Sequence, residues 1–201
     1  MLLVTRWIVA QHPPFTSLYE GIILISFLLN IKFLFFTRSV DMRIIHFHRA
    51  MTFIFLLLII LIPADIREIR SVLPVMNNFL MYVHAPLHII AYTFLLSGLI
   101  YALINLLSKK NIYPYDKQMD NDIGPALVLL CAALVISAFR SQLSLGNYWS
   151  WSPKETWSLI NIIILSFYFY KKDRLLQSLI VIITVLSVLF TYIGLDLITS
   201  V

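Results

Sequence analysis

Residues 86–107 read PLHIIAYTFLLSGLIYALINLL, a run without a single charged side chain. A helix needs about 20 predominantly apolar residues to cross the hydrocarbon core of a bilayer. This run therefore predicts a membrane-spanning helix. The stretches on either side of it have the same character, so the sequence reads as a series of apolar runs separated by short polar segments.

The composition agrees with a membrane protein. Of the 201 residues, 60% are hydrophobic and 12% are charged, and the mean hydropathy is +0.89. A soluble domain carries roughly 25% charged residues, so this chain lacks the charge to cover a surface that faces water. The sequence has five Gly, eight Pro and no internal repeat. We therefore predict one membrane domain over residues 1–201, in contact with the lipid bilayer.

Six stretches are long and apolar enough to be predicted as spanning helices. The predicted fold is all-α, a polytopic membrane helical bundle of about six transmembrane helices. Residues 1–10 are too short an apolar stretch for a cleavable signal, so the first span is expected to act as the insertion signal. The predicted spans cover about residues 17–36, 47–64, 86–107, 124–139, 153–172 and 175–195.

The distribution of Lys and Arg predicts how this bundle is oriented. Ten of the 15 cations fall at one set of helix ends, and the richer set is expected in the cytoplasm. Both termini then lie on the outer side, and the outer loops cover about residues 65–85 and 140–152. Membrane orientation explains the net charge of +5, so no nucleic-acid partner is predicted. The outer cations are Arg6, Arg67, Arg70, Arg140 and Lys154.

The second outer loop leads into the most informative stretch, residues 146–157, which read GNYWSWSPKETW. Its second half has the pattern of a helix start. Ser152 suits the N-cap, and Pro153 suits the first helical position. Glu155, three residues after the cap, completes a capping box. The fifth span is therefore predicted to begin at Pro153.

Four aromatic side chains surround this helix start. The three that precede it would lie in non-helical backbone at the membrane surface, and the fourth would lie on the first turns of the helix. A flat aromatic shelf at this depth would suit a large, flat, apolar ligand with polar edges, such as a porphyrin. An ordinary aromatic belt is the alternative, because Trp and Tyr favour the membrane interface. The four residues are Tyr148, Trp149, Trp151 and Trp157.

Residues 146–157 resemble the tryptophan-rich signature W-G-x-x-W-x-W-D-P-K-E-T-W of the CcsA/ResC-type cytochrome c biogenesis proteins. Residues 6–20, RWIVAQHPPFTSLYE, resemble the segment R-W-I-x-x-G-H-x-P-x-x-N-L-Y-E of that family. Residues 81–84, MYVH, resemble the stretch around the family's outer-face histidine, and residues 190–194, FTYIG, resemble its last helix. The matches occur in family order over nearly the whole chain.

The resemblance implies an integral membrane protein of the bacterial inner (cytoplasmic) membrane that holds haem b on its outer face. His84 would be an axial ligand of the haem iron, and Tyr148, Trp149, Trp151 and Trp157 would line the haem. The implied function is that of a subunit of a system II cytochrome c synthase, a holocytochrome c synthase (haem lyase). It would act with a ResB-type membrane partner and deliver haem to the CxxCH site of an apocytochrome c.

Several departures from the family pattern bear on this expectation. Ser152 replaces the aspartate of the signature, Leu145 replaces its leading tryptophan, and Tyr170 replaces a histidine at the inner end of the fifth helix. The family continues past its last helix into G-L-H-S-Y, whereas residues 194–201 contain no histidine. Either a partner supplies the second axial ligand, or another histidine does, or the catalytic role is lost. The alternative function is a non-enzymatic haem exporter or chaperone, or a divergent accessory subunit.

The remaining histidines provide the candidates for a second ligand within this chain. His12 lies on the outer side and is the candidate sixth ligand. His88, one turn deeper than His84, is expected to bond within the bundle, with a ligand role as its alternative. His46 and His48 are expected at the headgroup level on the cytoplasmic side. Because the histidines cluster at span ends, a b-type electron carrier with paired mid-membrane ligands is not favoured.

Glu20 and Cys131 limit the remaining chemistry. Glu20, near the outer end of the first span, is expected to cap that helix or to pair with Arg6 or Arg140, because an acid at membrane depth needs a partner. Cys131 is the only cysteine in the chain. That count excludes an internal disulfide, a CxxC redox pair and a cysteine-based metal site.

Overall fold

The computed structural model describes residues 2–10, 12–15, 17–36, 41–68, 79–108, 115–170 and 173–194. All regular structure within these residues is helical, as the sequence predicts. Helices α1 to α8 cover Leu2–Ala10, Leu18–Phe36, Met42–Leu61, Ala64–Arg67, Met81–Leu107, Asp116–Leu145, Pro153–Tyr170 and Arg174–Leu189. A π-helical turn over Phe190–Gly194 continues α8.

Five helices in the described part of the chain are long and apolar enough to cross a membrane, which confirms an all-α membrane bundle. The apolar stretches are Leu18–Phe35, Met42–Leu61, Met81–Leu107, Asp116–Leu145 and Arg174–Tyr192. The remaining predicted span, α7, contains no stretch as apolar as those in the five helices, since Lys154 and Glu155 lie in its first turn and Asn161 lies in its middle. It nevertheless packs in the same bundle, against α6 and α8.

The helix that carries His84 begins earlier than the apolar run in the sequence. α5 starts at Met81, so Pro86 lies inside the helix and His84 lies in its first turn. Pro86 is the sixth residue of α5, so one backbone hydrogen bond is lost and the proline ring crowds the preceding turn. The packing of α5 against its neighbours outweighs that loss, because α5 is the most deeply buried of the spanning helices.

α6 is much longer than its predicted span of about 124–139. It extends from Asp116 to Leu145, and Gly146, with a φ of 76°, ends it in the left-handed conformation typical of a helix C-terminus. Arg140 is therefore helical, and the non-helical connection to α7 is confined to residues 146–152. Residues 69–78 of the other predicted outer loop lie outside the described residues.

α5 lies at the centre of the bundle. It packs against α2, α3, α6 and α8. Ala91 and Ala102 are completely buried, and such small side chains let neighbouring helices approach closely. Successive long helices run in opposite directions, so α2, α5 and α7 begin at the end of the bundle where α3, α6 and α8 finish.

Polar contacts hold the end where α3, α6 and α8 begin. Arg174 pairs with Asp116 at 3.2 Å and with Asp120 at 3.3 Å, which ties α8 to α6. Asp41 caps α3 and accepts hydrogen bonds from Arg43. These bonds hold the pKa of the Asp41 carboxyl well below its usual range. The long-range pairs explain why the polar first turns of α6 remain helical.

Two polar side chains near this end contact polar partners on neighbouring helices. Lys32 is largely buried, and its Nζ lies 2.8 Å from Asp122 and 2.7 Å from the hydroxyl of Ser97. His48, expected at the headgroup level, is only 5% exposed, and its Nε2 lies 3.1 Å from the side-chain oxygen of Asn30. A hydropathy pattern assigns such side chains to the surface. A polar partner on a neighbouring helix allows them to be buried instead.

Candidate functional site

A cavity of about 450 Å³ opens at the end of the bundle where α5 and α7 begin. Its lining combines apolar side chains with charged and imidazole side chains, a mixture typical of small-molecule sites. The apolar members include Phe15, Leu18, Ile89 and Leu134, and the charged and imidazole members are His84, His88, Arg140, Lys154 and Glu155. It is termed the histidine cavity, after His84 and His88.

His84 and His88 lie one turn apart at the start of α5. Their rings meet edge to face, with centroids 5.2 Å apart. Nδ1 of His88 lies 3.1 Å from the carbonyl oxygen of His84, and when that nitrogen carries the proton, Nε2 keeps a free lone pair. Nδ1 of His84 is buried and makes no hydrogen bond of normal geometry. Two imidazoles therefore line the cavity, and the neutral imidazole is the form that binds a metal.

Two tyrosines continue the wall of the cavity beside His88. The ring centroid of Tyr92 lies 5.7 Å from that of His88 and 5.8 Å from that of Tyr192. Tyr192 belongs to the π-helical turn, and its hydroxyl fits against Gly21 of α2. A Cβ atom at position 21 would lie only 1.7 Å from the hydroxyl oxygen. The missing side chain of Gly21 therefore determines where this part of the wall lies.

Residues 146–152 form the connection between α6 and α7 and are termed the tryptophan loop. α7 begins at Pro153 as predicted, and the Ser152 hydroxyl accepts a hydrogen bond from the backbone N–H of Glu155 at 3.4 Å. The Glu155 carboxylate accepts hydrogen bonds from the backbone N–H and the hydroxyl of Ser150, at 2.9 and 2.8 Å. The predicted capping box is therefore half formed, because the carboxylate fastens the tryptophan loop to α7.

The aromatic residues of the predicted shelf lie at this end of the bundle but do not line the cavity. Trp149 and Trp151 meet edge to face at 5.8 Å, and Trp151 is 74% exposed. Trp157 packs edge to face on Phe190 at 5.0 Å, and Tyr148 is exposed. Among the described residues that line the cavity there is no tryptophan. The structure brings His84 and the tryptophan loop to the same end and leaves the indoles outside the cavity wall.

Arg140 lines the cavity near His84 and Glu155, a position that sequence reasoning missed. It lies near the end of α6, lines the cavity, and interacts electrostatically with both His84 and Glu155. Its Nε atom is buried without a hydrogen-bond partner. Buried polar atoms normally have partners, so this nitrogen has unused capacity to donate a hydrogen bond. The sequence identified Arg140 only as an outer cation and a possible partner of Glu20.

His12 and Glu20 lie beside the cavity. His12 is 5% exposed, its Nδ1 is 3.2 Å from the carbonyl oxygen of Pro13, and it is not part of the cavity lining. Glu20 pairs with Arg6 at 2.9 Å, one of the two expected partners. It also forms a reciprocal capping box with Ser17, in which both hydrogen bonds measure 3.2 Å. These contacts fix α1 against the start of α2.

A site for a metal ion held by protein side chains alone is not found in the described part of the chain. Those residues contain no group of three or more His, Cys, Asp or Glu side chains that could hold a metal ion. An iron held by a porphyrin needs fewer protein ligands, because the macrocycle supplies most of the ligands and the protein supplies only axial ones. The histidine cavity has the donors for that second arrangement.

The sequence matches one protein family along nearly its whole length. The family, described as "Cytochrome C assembly protein", matches residues 15–201. Similar proteins include three named "Cytochrome c biogenesis protein CcsA". That of Prochlorococcus marinus is 26% identical over 96% of this chain and 76% of its own length. That of Cyanophora paradoxa is 24% identical over 86% and 71%. For that of Chlamydomonas reinhardtii the identity is 23% over 98% and 62%, so the chain spans less than two thirds of that relative.

Proposed function

This chain belongs to the cytochrome c assembly protein family, and we propose that it acts in cytochrome c biogenesis by binding haem in the histidine cavity and presenting it at the outer face of the membrane. In the proposed orientation the cavity end faces outward, both termini lie on that side, and α7 is a sixth span. The proposed enzyme is a system II cytochrome c synthase of the bacterial inner membrane. This chain would be its haem-presenting subunit, with a ResB-type membrane protein as partner.

The observation that carries this proposal is that one cavity is bordered by His84 and by the start of α7. His84 comes from α5, whereas the tryptophan loop follows α6, so the two segments are distant in sequence. Both nevertheless border the same opening, through Ser152 and Glu155 on one side and His84 on the other. A site that holds a large flat ligand by its metal and by its aromatic face needs these two segments together.

The residues of the histidine cavity suit a haem b group. The volume of the cavity, about 450 Å³, lies within the range of roughly 300–1,000 Å³ for small-molecule sites. His84 would bind the iron, Ile89 and Leu134 would pack against the porphyrin, and Trp149 and Trp151 would cover the part that projects beyond the cavity. Bound haem supplies the vinyl groups that join to the two cysteine thiols of the CxxCH site. The contribution of this chain is to hold and orient the reactants.

In the proposed complex, His84 would be the ligand that this chain gives to the haem iron. His84 and His88 project from the same face of α5, so they cannot bind opposite faces of one haem. Among the described residues, no histidine from another helix lines the cavity. We therefore propose that a second iron ligand would come from the ResB-type partner. His12, which lies beside the cavity, is the alternative within this chain.

Haem retention by single-histidine variants tests the proposal. The protein is purified in detergent, and its haem content is measured from the absorption spectrum for wild type, His84→Ala, His88→Ala and His46→Ala. We expect His84→Ala to lose most of its haem, because the iron loses its protein ligand. His46 is exposed at the other end of the bundle, so His46→Ala is the matched control and keeps the wild-type content. Unchanged haem in His84→Ala, or loss only in His88→Ala, would contradict the assignment of the ligand.

The alternative function, a haem exporter or chaperone without synthase activity, uses the same cavity. A reporter protein with one CxxCH site distinguishes the two functions. A synthase subunit, expressed with its ResB-type partner, yields reporter with covalently attached haem that survives denaturing electrophoresis. An exporter or chaperone binds haem equally well and leaves the reporter without covalent haem.

A further inference from the structure

Iron ligation by His84 leaves Arg140 of the histidine cavity without a role. Arg140 lines the cavity, and its Nε atom is buried without a hydrogen-bond partner. Within the described residues, no carboxylate lies within salt-bridge distance of its guanidinium. Arg140 is half-buried, and a buried N–H donor without a partner, such as its Nε, is unfavourable. The position is therefore one that an anionic ligand would complete.

Glu155 interacts electrostatically with Arg140 but does not accept a hydrogen bond from its guanidinium. The two side chains interact electrostatically, whereas the hydrogen bonds of the Glu155 carboxylate go to Ser150. The guanidinium of Arg140 therefore keeps donor capacity that faces the cavity. Its planar fork of N–H groups matches the two oxygens of a carboxylate better than any other side chain does.

We propose that Arg140 binds a carboxylate group of the tetrapyrrole, so that the cavity selects a haem with free acid side chains over its neutral ester. This inference rests on the proposed haem function and adds the chemical feature by which the ligand is recognised. Arg140 lies on α6 and His84 on α5, so the ligand is held at two points from two helices. Attachment at the iron and at one acid edge fixes the rotation of the macrocycle, and with it the edge that is presented to the thiols.

The test compares two ligands that differ only in their acid groups. Haem b and haem b dimethyl ester are titrated into purified wild type, Arg140→Gln and Arg140→Lys, and the dissociation constants are obtained from the absorption spectra. Wild type is expected to bind the free acid at least about tenfold more tightly than the ester, as a charge-assisted hydrogen bond predicts. Arg140→Gln is expected to bind both ligands with the affinity of the ester for wild type, and Arg140→Lys to recover part of the preference.

The controls separate this inference from the function on which it rests. Arg43 is 53% exposed at the opposite end of the bundle, so Arg43→Gln should keep the full preference for the free acid. Ester binding by Arg140→Gln shows that this variant is folded. Equal affinities of wild type for the two ligands, or an undiminished preference in Arg140→Gln, would overturn the role of Arg140 while leaving haem binding intact. Failure of wild type to bind either ligand would overturn both proposals.

Discussion

Replacing Gly21 by alanine perturbs the wall of the histidine cavity without touching a proposed ligand. The new Cβ atom would lie 1.7 Å from the Tyr192 hydroxyl oxygen and 2.9 Å from the ring carbon that bears it. Ordinary van der Waals contact begins at 3.4 Å, so the hydroxyl must retreat by about 1.7 Å. Tyr192 packs on Tyr92, and both line the cavity. The substitution therefore displaces the inner wall.

The cost of this displacement follows from the energetics of overpacking, about 1–3 kcal/mol for an added methyl group that forces its neighbours to move. Alanine is also a better helix former than glycine by about 0.8–1 kcal/mol, which hides part of that cost. Gly124→Ala provides the matched control, because a Cβ atom at Gly124 would meet nothing within 4 Å. The difference between the two variants isolates the clash. At roughly 2–4 °C per kcal/mol for a chain of this size, Gly21→Ala should melt about 2–12 °C below Gly124→Ala.

Two measurements on the same purified samples check this prediction. Circular dichroism in detergent gives the thermal midpoints, and the absorption spectrum gives the haem content, which should fall in Gly21→Ala and stay at the wild-type value in Gly124→Ala. Equal midpoints together with equal haem contents would refute the reasoning. That result would mean that Tyr192 moves freely and does not shape the site.

Two further substitutions test how the bundle itself is held. Asp122→Asn removes the charge that neutralises the largely buried Lys32 and is expected to destabilise the protein by about 3–5 kcal/mol. Lys32→Met combined with Asp122→Leu should restore most of the thermal midpoint. A single variant as stable as wild type would show that the pair is not buried in the membrane-embedded protein. Ser152→Ala removes the cap of α7 and should lower the free energy of unfolding by about 1 kcal/mol. Ser152→Asp keeps a capping oxygen and should melt at the same temperature as wild type. Equal midpoints for all three proteins would show that the cap does not stabilise α7.

The features that the sequence predicted correctly depend on local signals. Ser152 and Pro153 specify a helix start within two residues, and α7 begins there. Glu155 follows the capping-box pattern only in part, because only its backbone N–H makes the expected hydrogen bond, to Ser152. Its carboxylate binds Ser150, because the loop before the helix curls back over the first turn, and no local pattern describes that path.

The features that the sequence missed depend on partners far along the chain. The polar start of α6 is stabilised by Arg174 through Asp116 and Asp120, so a prediction from hydropathy alone began this span too late. The sequence placed Lys32 among the cations at the helix ends and did not reveal its pairing with Asp122. In the sequence, Arg140 cannot be told apart from the other outer cations. Only the folded structure shows that it lines the cavity. For the same reason, the sequence predicted that His84 and the tryptophan loop lie on one side of the membrane, but it did not predict that the indoles lie outside the cavity wall.

Trp151 adopts a φ of 55°, a left-handed backbone that costs a residue other than glycine about 1–2 kcal/mol. Its ring is 74% exposed, so burial returns little of that cost. Glycine or asparagine would relax the backbone here while removing the indole. Directed evolution for heat resistance alone should therefore discard Trp151, whereas selection for haem delivery should keep it. The opposite outcomes of those two selections would separate what this position does for folding from what it does for the ligand.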